Sequence, residues 1–264
     1  MNKKQFDHFK AWFTEYVASF YGADEYVNAH IKLKEEHTYR VCEEMVWLTN
    51  QLNLSEQDKL TAGTIAIFHD VGRFEQFAKY RTYMDNKSVN HCLVALEVLG
   101  GNNLLDELDA GEKLTVETAI KLHGGIKLPD NLDGETALFA KLIRDVDKLD
   151  VYRVVIEGYK QFEANPEDFF LEVEFPAETY CSAEIIETLL KGRRIDFRKL
   201  RTLHDAKLLQ LSWVFDVNFP QTFIRIMQRR FLDELITLLP EKEEAVRVKK
   251  FIFDYVDARI AGFD

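Results

Sequence analysis

Hydrophobic positions recur with a helical period along nearly the whole chain. A segment rich in Phe, Trp and Tyr runs from about Lys4 to Tyr21 and stops at Gly22. From Asp24 to about Leu52, Val41, Met45, Leu48 and Leu52 form one apolar stripe, with His37 four residues before it on the same face. Ser55, with Asp58 three residues on, reads as the N-cap of a helix through Leu60, Ile65 and Phe68 that runs into His69-Asp70. Val71 to Lys87 reads as a loop, and Ser88 as the cap of a helix in which His91, Val94, Ala95, Val98 and Leu99 share a face before Gly100-Gly101. The next stripe starts at Thr115, carries Val116, Ala119 and Ile120, and ends in His123 before Gly124-Gly125. A helix from about Gly134 then holds Arg144 to Asp150.

The second half continues in the same pattern. Asn165-Pro166 and Pro176 break it, and Phe219-Pro220 and Leu239-Pro240 mark corners, because proline disfavours helix in the residue before it. No fixed repeat, Ser/Gly linker or strand alternation is visible. The expectation is an all-α protein, with one helical domain over residues 1–160 and a helical extension over 161–264 packed on it.

Composition sharpens this picture. The chain of 264 residues is 47% hydrophobic, with 20 Phe, 10 Tyr and 3 Trp, enough to bury a large core. Its 12 Gly and 5 Pro leave little material for tight turns. Basic residues number 34 and acidic 45, a net charge of −11, and no Lys/Arg stripe offsets it, so bulk nucleic acid is disfavoured as a partner. No apolar run approaches the roughly 18 residues of a membrane span. Asp7, His8 and Lys10 interrupt the apolar region that a signal peptide needs. The three cysteines, Cys42, Cys92 and Cys181, are odd in number and far apart, which suggests neither a disulfide framework nor a cysteine-type zinc site. A reducing cytoplasm is expected.

The chemistry lies in the histidines. Of seven, His37, His69, His91 and His123 each sit on an apolar stripe or at its end. A buried imidazole needs a partner for each nitrogen, and a metal satisfies one while fixing the tautomer. Asp70 follows His69, and Asp145 and Asp147 lie in the helix after His123, which makes a His/carboxylate set suited to Fe, Mn, Zn, Ni or Co, with no sulfur ligand. A His-Asp doublet alone carries little weight, and the second one, His204-Asp205, has no further ligands near it in sequence and reads as structural.

His37, His69-Asp70 and Asp147 resemble the H…HD…D pattern of the HD superfamily of metal-dependent phosphohydrolases. HDVGRF, from His69 to Phe74, is similar to the loop that follows the doublet in that family, and RDVDKLD, from Arg144 to Asp150, is similar to its R-D-A-D-K/R-L-D segment. With His91 and His123 added, the order H…HD…H…H…D resembles the subset that holds two metals. The resemblance covers about residues 24–160 and implies an HD-domain helical bundle. It implies further that His37, His69 and Asp147 hold one divalent ion and His91 and His123 the other, with Asp70 bridging. Fe, Mn, Zn, Ni, Co and Mg remain open as the metal. Two ions about 3.5–4 Å apart activate a water that attacks phosphorus. Periodicity does not choose between Asp145 and Asp147, which face opposite ways on apolar stripes; the family pattern favours Asp147, leaving Asp145 for a hydrogen bond or ion pair with Arg144 or Arg73.

Arg73 and Lys148 are the candidate cations for a phosphoryl group, against surface ion pairing as the bland alternative. Arg81 to Asn90, with Tyr83, Asp85 and Ser88, is a candidate wall of the substrate pocket, and Lys191 to Arg194 is a basic patch that reads first as a solvated turn. The leading expectation is hydrolysis of a small anionic phosphoester, with a nucleotide as the favoured class. Two others compete: a di-iron oxygenase with a similar ligand set, and a metal-containing regulatory module, against which the six filled positions argue. The aromatic-rich extension offers two uses, covering the core or forming a homodimer surface, and the sequence does not choose between them.

Overall fold

The computed structural model describes residues 1–164, 180–240 and 243–262, and among them it is helical, without strands. Two compact units divide the chain, Met1–Asp150 and Val151–Asp264.

The first unit opens with α1 (Lys3–Ala18), held by a capping box between Asn2 and Gln5, and buries Phe9, Phe13 and Val17. These rings meet α3 (Glu56–Phe68), where Phe9 and Phe68 pack edge to face with centroids 5.5 Å apart. Each fully buried ring of this kind contributes about 2–3 kcal/mol by leaving water. Between them runs α2 (Glu25–Gln51), capped by Asp24, whose buried face includes Val41, Met45 and Leu48 together with His37. Ser55 caps α3 by accepting from Asp58 N, and α3 delivers His69 at its C-terminal end.

Three expectations need correction. Val71 to Lys87 is not a loop throughout: Gly72–Tyr80 is a helix, α4, which buries Gly72, Phe74, Gln76 and Phe77. Gly72 misleads as a breaker because its reason is steric. A Cβ there would overlap the backbone of His91, Val94 and Ala95, so glycine is what lets α4 lie against the following helix. That helix, α5 (His91–Gly101), is capped by Asn90 through Leu93 N and not by Ser88, whose hydroxyl donates to Met84 O. The helix ending at His123, α6 (Ala110–His123), begins five residues before Thr115 under the cap of Asp109. Residues 110–114 of its first turn are not buried, so no apolar stripe marks them.

Helix α7 (Gly134–Ala164) completes the set, with Phe139, Leu142, Ile143, Val146 and Leu149 buried in the first unit. The division between units falls inside it.

In the second unit, Tyr152 packs between Trp213 and Phe231 and donates to Gln210 O. Around it are α8 (Ala183–Leu190), α9 (Leu203–Leu211), α10 (Pro220–Gln228), α11 (Phe231–Thr237) and α12 (Glu243–Ala261). Pro220 stands at the start of α10, where its missing N–H costs nothing. Asn165-Pro166 and Pro176 lie outside the described residues. Asp205, of the second His-Asp doublet, is fully buried and accepts from Ser182 N, Ser182 Oγ, Arg201 N and Thr202 N, a structural cap. Lys191 to Arg194 forms the turn after α8, with Gly192 at φ +66° and Arg194 paired to Asp216.

Candidate metal centre

Five helices of the first unit bring their chemistry to one buried point. His37 comes from the middle of α2, His69 and Asp70 from the end of α3, His91 from the start of α5, His123 from the last position of α6 and Asp147 from α7. All but Asp147 are at most 6% exposed, and the Asp147 side chain, at 24%, marks the side open to solvent.

One cluster gathers His37, His69, Asp70 and Asp147. His37 Nε2 lies 3.3 Å from His69 Nε2, 3.5 Å from Asp70 Oδ2 and 3.3 Å from Asp147 Oδ1. His69 Nε2 lies 3.8 Å from Asp70 Oδ2 and 3.9 Å from Asp147 Oδ1. A second cluster gathers His91 and His123, whose Nε2 atoms are 3.2 Å apart and each 3.6 Å from Asp70 Oδ1. Asp70 thus turns one oxygen to each histidine pair. Asp145 is fully buried on another face of α7.

The Nδ1 atoms show why these rings face inward. His69 Nδ1 donates to Ala66 O at 2.8 Å and His123 Nδ1 to Ile120 O at 2.7 Å, each satisfying a carbonyl three residues back in the last turn of its helix. His37 Nδ1 donates to Asp150 Oδ2 and His91 Nδ1 to Asp85 Oδ2, both at 2.7 Å. With every Nδ1 committed to an acceptor, the Nε2 atoms of the four rings face one another and three carboxylate oxygens. That donor set could hold divalent ions, and its His/carboxylate chemistry suits ions of the Fe, Mn, Zn, Ni or Co kind.

Electrostatics point the same way. Burial would raise the Asp70 carboxyl, yet Lys34, His69 and Arg73 hold it well below the usual range. Burial likewise opposes ionisation of Asp147, and His37 and His69 outweigh it. Burial drives His69 down to about 4, with Asp70 opposing, so this ring stays neutral near pH 7. For His37, burial and Lys34 push downward, but Asp147 and Asp150 prevail and raise it. For His123, burial is outweighed by Asp70 and Cys92, which raise it to about 10.

The two candidate cations are engaged within the protein. Arg73 Nη1 donates to Asp85 Oδ1, Gln76 Oε1 and Tyr83 O, and Lys148 Nζ donates to Arg144 O. Arg144 itself donates to Leu122 O, His123 O and Gly125 O, fastening the end of α6 that carries His123.

Four residues escaped the sequence reading. Lys34, three residues before His37, donates to Asp70 Oδ2 at 2.9 Å. Arg40, three residues after it, holds both oxygens of Asp150. Asp150, three residues after Asp147, backs His37. Spacing of three on a helix places such side chains near the face of the neighbouring ligand, but spacing alone does not separate them from ordinary surface charges. Cys92 bears on the expectation of no sulfur ligand: its Sγ lies 3.4 Å from His91 Nε2, in a group with His91 and His123 that could hold a metal. Burial raises its thiol, but hydrogen bonds with His123 and His91 bring it down to about 6.

Residues 35–152 match the family model described as HD domain. No curated protein and no solved structure matches the chain. Among the described residues, no helix is long and apolar enough to cross a membrane.

Proposed function

We propose that this protein, whose residues 35–152 match the HD domain family model, hydrolyses a small phosphoester, with a nucleotide as the favoured class. The observation that carries this reading is Asp70, whose two oxygens face two separate histidine pairs. His37, His69 and Asp147 would hold one divalent ion, His91 and His123 the other, and Asp70 would serve both. Bound there, the ions supply Lewis acidity toward phosphoryl oxygens and a water nucleophile at neutral pH.

The chain's own residues do the rest. Asp150 and Asp85 fix the tautomers of His37 and His91, and the carbonyls of Ala66 and Ile120 fix those of His69 and His123. Burial of these groups excludes bulk water and strengthens every charge interaction in the site. Lys34, 17% exposed beside Asp70, adds a cation that would favour an anionic substrate at the site. The partly open Asp147 favours a small substrate approaching from solvent. Three free cysteines, two of them only partly buried, fit a reducing cytoplasm as the place of work.

The test combines metal content of protein purified without chelator with a panel of phosphomonoesters, phosphodiesters and nucleotides. Two metals per chain and phosphate release are expected, and Asp70→Ala should lose metal and lower turnover by at least about 10²-fold, as for loss of an electrostatic stabiliser. Two irons with an oxygen-sensitive mixed-valence signal and no phosphate release would overturn hydrolysis in favour of an oxygenase.

A further inference from the structure

The two histidine pairs are backed by the same device built to different standards. On one side, Arg40 grips both oxygens of Asp150, Nε to Oδ1 at 2.6 Å and Nη2 to Oδ2 at 3.0 Å, and Asp150 accepts from His37 Nδ1 at 2.7 Å. Asp150 is 2% exposed, and both partners stand on the long helices α2 and α7. On the other side, Arg73 and Gln76 grip Asp85 Oδ1, each at 2.9 Å, and Asp85 Oδ2 accepts from His91 Nδ1 at 2.7 Å. Here the carboxylate side chain is 34% exposed and stands on the three-residue 3-10 turn Asp85–Lys87. Arg73 also reaches inward: its Nε has no hydrogen-bond partner among the described residues and lies 3.4 Å from Asp70 Oδ1, the oxygen that faces His91 and His123.

We propose that Asp85, clamped by Arg73 and Gln76, is the positioning residue that makes the His91/His123 metal position loadable, and that this position fills after the His37/His69 position and releases its ion first. The inference rests on the reading of the site as a two-metal centre. A short exposed turn opens locally at far lower free energy than a paired helix interior, so its hold on His91 is intermittent where the hold of Asp150 on His37 is permanent. Solvent reaches the carboxylate of Asp85 far more than that of Asp150, while the two arginines are similarly part-buried. Arg73 then acts through Asp85 as a tie between the turn and the bridging carboxylate, and is not a free arm for substrate.

Titration of the metal-free full chain with Co(II), followed by calorimetry and by the visible absorption of the bound ion, tests this. The wild type should take up two ions in two resolved steps. Asp85→Ala should keep the first step, which also reports that the bundle is folded, and weaken the second by about 10–100-fold, the usual effect of losing a partner behind a metal-bound histidine. Asp85→Asn, which retains an acceptor for His91 but sets an NH2 against Arg73 or Gln76, should fall between. Arg73→Gln should shift the second step in the same direction by less. Two unchanged steps in Asp85→Ala, or equal weakening of both, would overturn the proposal while leaving the two-metal reading intact. A wild type that takes up no Co(II) would overturn both.

Discussion

At the scale of single residues, Asp150 shows how the site is stiffened. Its carboxyl is almost fully buried, and burial opposes its charge, but His37 and Arg40 bring it down to about 2. A carboxylate held below its unfolded value of 3.8 stabilises the fold above that value, and the contribution disappears as pH falls through about 2. The shift corresponds to about 2 kcal/mol. In chelator-treated protein, urea unfolding of Asp150→Asn should therefore give a midpoint below the wild type at neutral pH, with the gap closing as pH falls toward about 2. A gap constant across that range would assign the residue a packing role instead. The contact that matters, Arg40 to Asp150, spans 110 residues, so no local pattern announces it. The inward-facing histidines were legible because a polar ring on an apolar stripe conflicts with its surroundings. Lys34, Arg40 and Asp150 were not, because a charged residue beside other charges looks like ordinary surface balance until the backbone brings the partners together.

Among the helices, the close approach of α4 to α5 sets where His91 stands. Gly72 is the hinge of that contact, and any Cβ there meets backbone, which cannot rotate away as a side chain can. Gly72→Ala should push α4 from α5, lower stability by about 1–3 kcal/mol as overpacking does, and reduce uptake of the second Co(II) more than the first. Unchanged unfolding and unchanged uptake would show that the helices slide apart at no cost. This element was missed in the sequence for a physical reason. Its glycine and its brevity look like a loop, whereas the helix is stabilised by tertiary burial of Phe74 and Phe77 and not by local preference. The start of α6 was misplaced for the converse reason, since a polar first turn under the Asp109 cap offers no stripe to read. Helices with long apolar faces were legible: α2 in its extent, and α3 in both its extent and its Ser55 cap.

For the whole molecule, the consequence lies in how metal binding and folding are linked. The residues of the centre run from His37 to Asp147 and all fall within Met1–Asp150, so an ion held by them ties together segments that the unfolded chain leaves far apart. Binding that requires the folded arrangement adds about 2.7 kcal/mol per ion at a free concentration of 100 times Kd. Mn(II) should therefore raise Tm, and a chelator should reverse the rise. Hydrogen exchange localises the effect: slowed exchange is expected in peptides carrying His37, His69, His91, His123 and Asp147, and unchanged exchange in α8 to α12, where none of those residues lies. Slowing spread evenly over all described helices would instead mean that the chain opens as one cooperative body, so that an ion in the first unit is felt equally in the second. Slowing in α5 and α6 that needs more Mn(II) than slowing in α2 and α3 would reflect the less rigid Arg73–Asp85 backing of His91, since an ion protects only the helices whose ligands it has already gathered.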